Sequence, residues 1–123
     1  MKSPSFARSL SRAWTGLCIA FKEERSFRVH VAMACAVFTC LAIFPLELWQ
    51  RCLLLVVTMG VLVLELINSS VERLLDLLKP RLSSYVGEIK DLMAGAVLLA
   101  SLFAAIIGLF VLGPYFLSSF SRL

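Results

Sequence analysis

A chain of 123 residues carries one domain and no more. With 60% hydrophobic and 16% charged residues and a mean hydropathy of +0.92, it has too few polar side chains to cover a soluble domain of that size. The net charge of +4 lies beside apolar stretches and not on a soluble basic face, which speaks against a nucleic-acid partner and for charge that sets membrane orientation.

The first segment, residues 1–28, reads as an amphipathic helix on the membrane surface. Phe6, Leu10, Trp14, Leu17 and Phe21 share one helical face, and Arg8, Ser11, Arg12, Thr15 and Lys22 share the other. Such a helix lies in the interface with Trp14 at headgroup level, or packs on the protein's own bundle. No small-residue cleavage site follows a short apolar core, so a cleaved signal peptide is not expected. Three apolar stretches follow, at 29–49, 50–72 and 92–112, each near the roughly 20 residues that a spanning helix needs. The second reaches that length only with Glu65, Asn68 and Glu72 counted at its inner end. The expected fold is thus an all-α membrane protein with a surface helix and three transmembrane helices.

Basic residues give the orientation. Lys2, Arg8, Arg12, Lys22, Arg25 and Arg28 precede the first span, and Arg73, Lys79, Arg81 and Lys90 lie between the second and third. The loop at 44–51 has only Arg51. The positive-inside rule then puts the N-terminus in the cytoplasm. Cys18, Cys35, Cys40 and Cys52 form no CxxC pair, and they read as small buried hydrophobes, not as metal ligands or disulfides.

The chemistry gathers in Glu65-Leu66-Ile67-Asn68-Ser69-Ser70-Val71-Glu72 and Asp76. Positions 65, 68, 72 and 76 are three, four and four residues apart, so on a helix they form one stripe. A charged side chain at the centre of a membrane helix costs roughly 2.5–3.5 kcal/mol even on an insertion scale, and neighbouring acids add repulsion. A bound divalent cation is the simplest offset. Asp76 alone is equally well the wet end of a helix, whereas Glu65 sits inside apolar sequence. Lys22-Glu23-Glu24-Arg25 and Lys90-Asp91 fall at the same inner interface; each alone would be an ordinary anchor. Together with the stripe they suit phosphoryl transfer, which needs charge neutralisation and positioning around Mg²⁺. The sequence has no Walker loop, kinase glycine loop or Asp-Phe-Gly. His30, the single histidine, reads as an interfacial hydrogen-bonding residue and not as a catalyst.

The run Glu65-x-x-Asn68-Ser69-x-x-Glu72-x-x-x-Asp76, followed by Lys90-Asp91 and Ala94-Gly95-Ala96-Val97-Leu98, resembles the prokaryotic diacylglycerol kinase family, which includes undecaprenol kinases. Trp14-x-Gly16 and Glu24-x-x-Phe27-Arg28 fit the same pattern, and the likeness extends from about Arg12 to Gly113. It implies a three-span kinase of the bacterial cytoplasmic membrane, a homotrimer with shared sites that face the cytoplasm. It implies Glu65 as the general base on the lipid hydroxyl, Glu24 and Glu72 as Mg²⁺ and ATP ligands, Asn68 and Asp76 in the polar network, and Lys90 and Asp91 on the nucleotide. Trp14, Phe27 and Arg28 would border the lipid headgroup. Two positions depart from the diacylglycerol-specific branch: Arg12, where a Tyr is common, and Arg81-Leu82-Ser83, where Glu-Tyr-His is common. The segment Phe21-Lys22-Glu23-Glu24-Arg25-Ser26-Phe27-Arg28-x-His30 is closer to Gram-positive members, several of which prefer undecaprenol.

The expected reaction is therefore transfer of phosphate from ATP to a membrane lipid alcohol, with diacylglycerol first and undecaprenol second. A small proton-coupled exporter could use one membrane glutamate, but would not need the acidic cluster. A non-enzymatic subunit could pack Ala94, Gly95 and Ala96 on partner helices, but would leave Glu65, Asn68 and Glu72 unexplained.

Overall fold

The computed structural model describes residues 5–78 and 83–123, and these form four helices. They are α1 (Phe6–Glu23), α2 (Arg25–Ile43), α3 (Leu48–Leu78) and α4 (Ser83–Phe120). The last three are long and apolar enough to cross a membrane. Lys2, Lys79, Arg81 and Leu82, which entered the orientation and nucleotide expectations, lie outside the described residues.

The anticipated surface segment 1–28 is two elements, not one. Glu24 takes an extended conformation (φ −103°, ψ 109°) and is at once the C-cap of α1 and the N-cap of α2. Its N–H donates to the Ala20 carbonyl, and its carbonyl accepts from Arg28 N–H. No glycine or proline forces this break. Arg28 holds it instead, donating from Nη1 to the carbonyls of Phe21 (3.0 Å) and Lys22 (2.8 Å), two of the orphan acceptors at the end of α1. On α1 only Ala20 is buried, and the stripe of Phe6, Leu10, Trp14, Leu17 and Phe21 is exposed.

The first span was expected to run to 49, but α2 stops at Ile43. Pro45 is the cause. The residue before a proline is driven out of the helical region, and Phe44 sits at φ −86°, ψ 143°. The second span was expected to begin at 50 and end at 72; α3 starts at Leu48 and continues six residues further, to Leu78. At 1.5 Å per residue its 31 residues reach about 46 Å, well beyond a hydrocarbon core of about 30 Å. The excess carries the acidic stripe out of the apolar zone. The third span was expected to end before Gly113-Pro114, yet α4 continues through both to Phe120. Pro114 only removes one N–H from the ladder, and neighbouring packing tolerates that in a membrane helix.

Helix α3 is central: it packs most extensively on α4 and next on α2, while α1 packs on α2. The tightest packing lies near the α2–α3 turn, where Leu41, Leu46, Leu54, Val111 and Leu112 form a cluster backed by Phe44 and Tyr115. Arg51 binds that turn together. Its guanidinium donates to the carbonyls of Leu41 (2.9 Å) and Phe44 (3.5 Å) at the end of α2, and to that of Leu46 (3.1 Å) in the turn. Gln50 Oε1 accepts from both the Glu47 N–H and the Tyr115 hydroxyl, tying the turn to α4. Phe44 also meets Tyr115 and Phe116 at ring-centroid distances of 5.7 and 4.9 Å. The four cysteines are all free.

Arg51→Ala should therefore destabilise the protein by about 1.5–3 kcal/mol, the range for a charged hydrogen bond whose partners stay part-buried. A lowered thermal unfolding midpoint in detergent, with activity per folded molecule retained, is the expected result. An unchanged midpoint would remove Arg51 from the account of the turn.

Candidate active site

Helix α3 carries Glu65, Asn68, Glu72 and Asp76 on one face, and their exposure is graded along the helix. Glu65 is 3% exposed, Asn68 and Glu72 are half-buried, and Asp76 is exposed. A single helix thus takes a carboxylate from apolar surroundings to water in three turns. Glu65 is not alone there. Ser26 Oγ donates to Glu65 Oε1, and His30 Nε2 stands 3.8 Å from Glu65 Oε2. Ser26 and His30 are four residues apart, so one face of α2 presents both.

Asn68 Nδ2 donates to Glu72 Oε1 at 3.3 Å, one turn further along. The Asn68 side-chain oxygen is buried and has no hydrogen-bond donor. An unmatched carbonyl oxygen beside a carboxylate is a pair of hard oxygen donors, the chemistry that Mg²⁺ takes from a protein when phosphates and water fill its remaining positions. The residues therefore fit such an ion. Among the described residues no three His, Cys, Asp or Glu side chains converge on a metal site.

Glu24 reaches the same end of α3 through Arg73. Arg73 Nη2 donates to Glu23 Oε2 (2.6 Å) and to Glu24 Oε1 (3.1 Å), linking α3 to the α1–α2 break. Lys90 Nζ donates to Asp76 Oδ1 at 2.7 Å, linking α4 to the wet end of the stripe. Among the described residues no bond draws Asp91 into this group. It is exposed and borders an open groove whose walls, including Glu88, Leu92, Gly95 and Ala96, all belong to α4.

The expected lipid-side residues separate. Trp14 is 69% exposed, while Phe27 is 5% exposed and packed. Both border one shallow groove between α1 and α2, with Leu17, Cys18, Phe21 and Lys22. Arg28 does not line this groove; its guanidinium is spent on the carbonyls that end α1. A second opening, a cavity of about 310 Å³ between α2, α3 and α4, has apolar walls such as Ala34, Val61 and Ala104 and is capped by His30.

Sequence reasoning missed Ser26 and Arg73, and it gave His30 no place beside Glu65. The spacing of Ser26 and His30 was the available signal, since four residues on a helix put two polar groups on one face next to an apolar span. For Arg73 no local signal exists, because its partners are fifty residues away.

The family model described as prokaryotic diacylglycerol kinase matches residues 11–112. A diacylglycerol kinase of Synechocystis sp. is 36% identical over 117 residues, covering 94% of this chain and 67% of that protein. An undecaprenol kinase of Bacillus subtilis is 31% identical over 109 residues, covering 89% of each. The matched span takes in α2 and α3 whole, most of α1 and α4, the stripe on α3, the α1–α2 break and Lys90-Asp91. Matched over most of its length by that family model and by both relatives, the membrane chain belongs to the prokaryotic diacylglycerol kinase family and is a lipid kinase.

Proposed function

We propose that the whole chain, residues 1–123, is a single kinase domain that transfers the γ-phosphate of ATP to the hydroxyl of diacylglycerol, giving phosphatidic acid. The observation that carries this reading is Glu65: a carboxylate at 3% exposure, held by Ser26, at the inner end of an apolar helix. Undecaprenol is the alternative acceptor, favoured by the 31% identity to an undecaprenol kinase that covers 89% of both chains. The protein sits in the bacterial cytoplasmic membrane with its N-terminus and active site facing the cytoplasm, where ATP is found. The basic residues Arg8, Arg12, Lys22, Arg25 and Arg28 before the first span support that orientation.

Glu65 acts as general base. The lipid O–H bond breaks as its proton passes to Glu65, the lipid oxygen bonds to the γ-phosphorus, and the bond from that phosphorus to the β–γ bridging oxygen breaks to release ADP. Little else is asked of the protein than positioning and charge stabilisation. Glu72, the unpartnered side-chain oxygen of Asn68 and Glu24 would hold Mg²⁺, and the ion would offset the charge of the phosphates. Lys90, held by Asp76, is placed to meet phosphate oxygens at the wet end of the stripe, and Asp91 contacts the nucleotide. Trp14 and Phe27 line the groove that admits the lipid headgroup, and Arg28 holds the end of α1 beside it.

The working unit is a homotrimer whose sites are shared between subunits. Helices α2 and α4 leave most of their apolar surface uncovered by the chain itself, and the groove beside Asp91 is walled by α4 alone. A neighbouring subunit that completes this groove would bring Asp91 to a nucleotide.

Glu65→Gln should lower kcat by about 10²-fold or more while the folded oligomer survives, since it removes the base and keeps the shape. Near-normal turnover in that variant would refute the base assignment. Glu72→Ala should raise the MgATP requirement by roughly 10–100-fold, read from ADP release during Mg²⁺ titration. An unaltered metal dependence would take Glu72 out of the ligand set. Mg²⁺-dependent ADP release in micelles, with diacylglycerol and undecaprenol offered separately, identifies the acceptor. Preference for undecaprenol would replace the first reading by the second, and turnover with neither in folded protein would remove both.

A further inference from the structure

Glu65 has two carboxylate oxygens, and α2 addresses each with a different side chain: Ser26 donates to Oε1, and His30 Nε2 lies 3.8 Å from Oε2. The pairing leaves a practical problem for any reaction in which Glu65 collects a proton. A carboxyl group at 3% exposure has poor access to bulk water, so it needs another route to become a base again. His30 fits that need. Its side chain is 18% exposed against 4% for that of Glu65, and it is the only imidazole in the chain. Imidazole takes up and releases a proton near neutral pH.

We propose that Ser26 and His30 are positioning residues for phosphoryl transfer, Ser26 fixing Oε1 so that Oε2 meets the lipid hydroxyl, and His30 relieving Oε2 of its proton after each turnover. This rests on Glu65 being the base. In the first step the hydroxyl proton moves to Oε2 as the lipid oxygen bonds to phosphorus and ADP leaves. In the second, the proton on Oε2 passes to Nε2 of neutral His30, giving carboxylate and imidazolium. The imidazolium then loses a proton to water, which restores both groups. The 3.8 Å separation needs to close by less than 1 Å for the second step, a tightening common between a free enzyme and its substrate complex. His30 also lines the apolar cavity between α2, α3 and α4, so the imidazole is not sealed within packed side chains.

The test uses full-length protein in micelles carrying Ser26→Ala, Ser26→Thr, His30→Gln or Glu65→Gln, with kcat, KM for MgATP and the thermal unfolding midpoint measured for each. Ser26→Ala and His30→Gln should lower kcat about 10–100-fold with KM and midpoint unchanged. Ser26→Thr, which keeps the hydroxyl, should restore most of the loss. His30→Gln, which keeps a hydrogen-bonding side chain but cannot carry the proton, should not be rescued by its similar shape. A His30→Gln enzyme with normal kcat would overturn the proton role, and a Ser26→Thr enzyme as slow as Ser26→Ala would overturn the hydroxyl's role. Midpoint falling in step with kcat would mark both residues as purely structural and overturn the proposal. An active Glu65→Gln would instead overturn the base itself, whereas an inactive one beside a normal His30→Gln would leave the base standing and remove only His30.

Discussion

A carboxylate buried in a membrane helix is the constraint around which the rest of this protein is arranged. Glu65 is 3% exposed, and the seventeen residues of α3 before it contain one charge, Arg51, at the far end. Placing such a group costs roughly 2.5–3.5 kcal/mol on the insertion scale for a helix centre, so its surroundings must return part of that. Ser26 supplies a hydrogen bond to one oxygen and His30 a polar neighbour to the other. Both come from α2, which fixes where α2 must start and how it must face α3.

That requirement accounts for the break at Glu24. Had α1 and α2 been one straight helix, the segment carrying Phe6 to Phe21 would continue the line of the span. The break lets α1 turn away while α2 keeps Ser26 and His30 against Glu65. Arg28 secures the geometry by bonding the last carbonyls of α1, and Arg73 secures it from α3 through Glu23 and Glu24. The exposed ion pairs add little stability by themselves. Their value is in register, because they set the distance between the break and the stripe.

Much of this was legible in the residues, and the failures have identifiable causes. Periodicity found the stripe at Glu65, Asn68, Glu72 and Asp76, because helical spacing needs only one helix to be right. It also found three apolar spans, since a run of uncharged residues that long has few other uses. The end of α2 at Pro45 was written in the chain but outweighed by the apolar run around it. The break at Glu24 was not written locally at all: neither glycine nor proline marks it, and Arg28 creates it from outside the helix it ends. The spacing of Ser26 and His30 puts both on one face of α2, but that this face meets Glu65 depends on how α2 and α3 pack. The unmatched oxygen of Asn68 belongs to the same class, because only burial distinguishes it from a solvated amide.

The two ends of the bundle answer to opposite demands. At the α2–α3 turn, Arg51, Gln50 and the Phe44–Tyr115–Phe116 cluster close the structure, satisfying carbonyls that hydrocarbon would leave unpaired. At the other end polar groups are left partly open: Asn68 keeps a free acceptor, Glu72 is half-buried, and a cavity of about 310 Å³ reaches up to His30. A kinase acting on a lipid must admit one substrate from hydrocarbon and the other from water, so its site cannot be sealed toward either phase. The closed end permits that openness. With α2, α3 and α4 packed together at the turn, the polar end stays open without the helices separating, and the buried carboxylate lies between the apolar run of α3 and its exposed end.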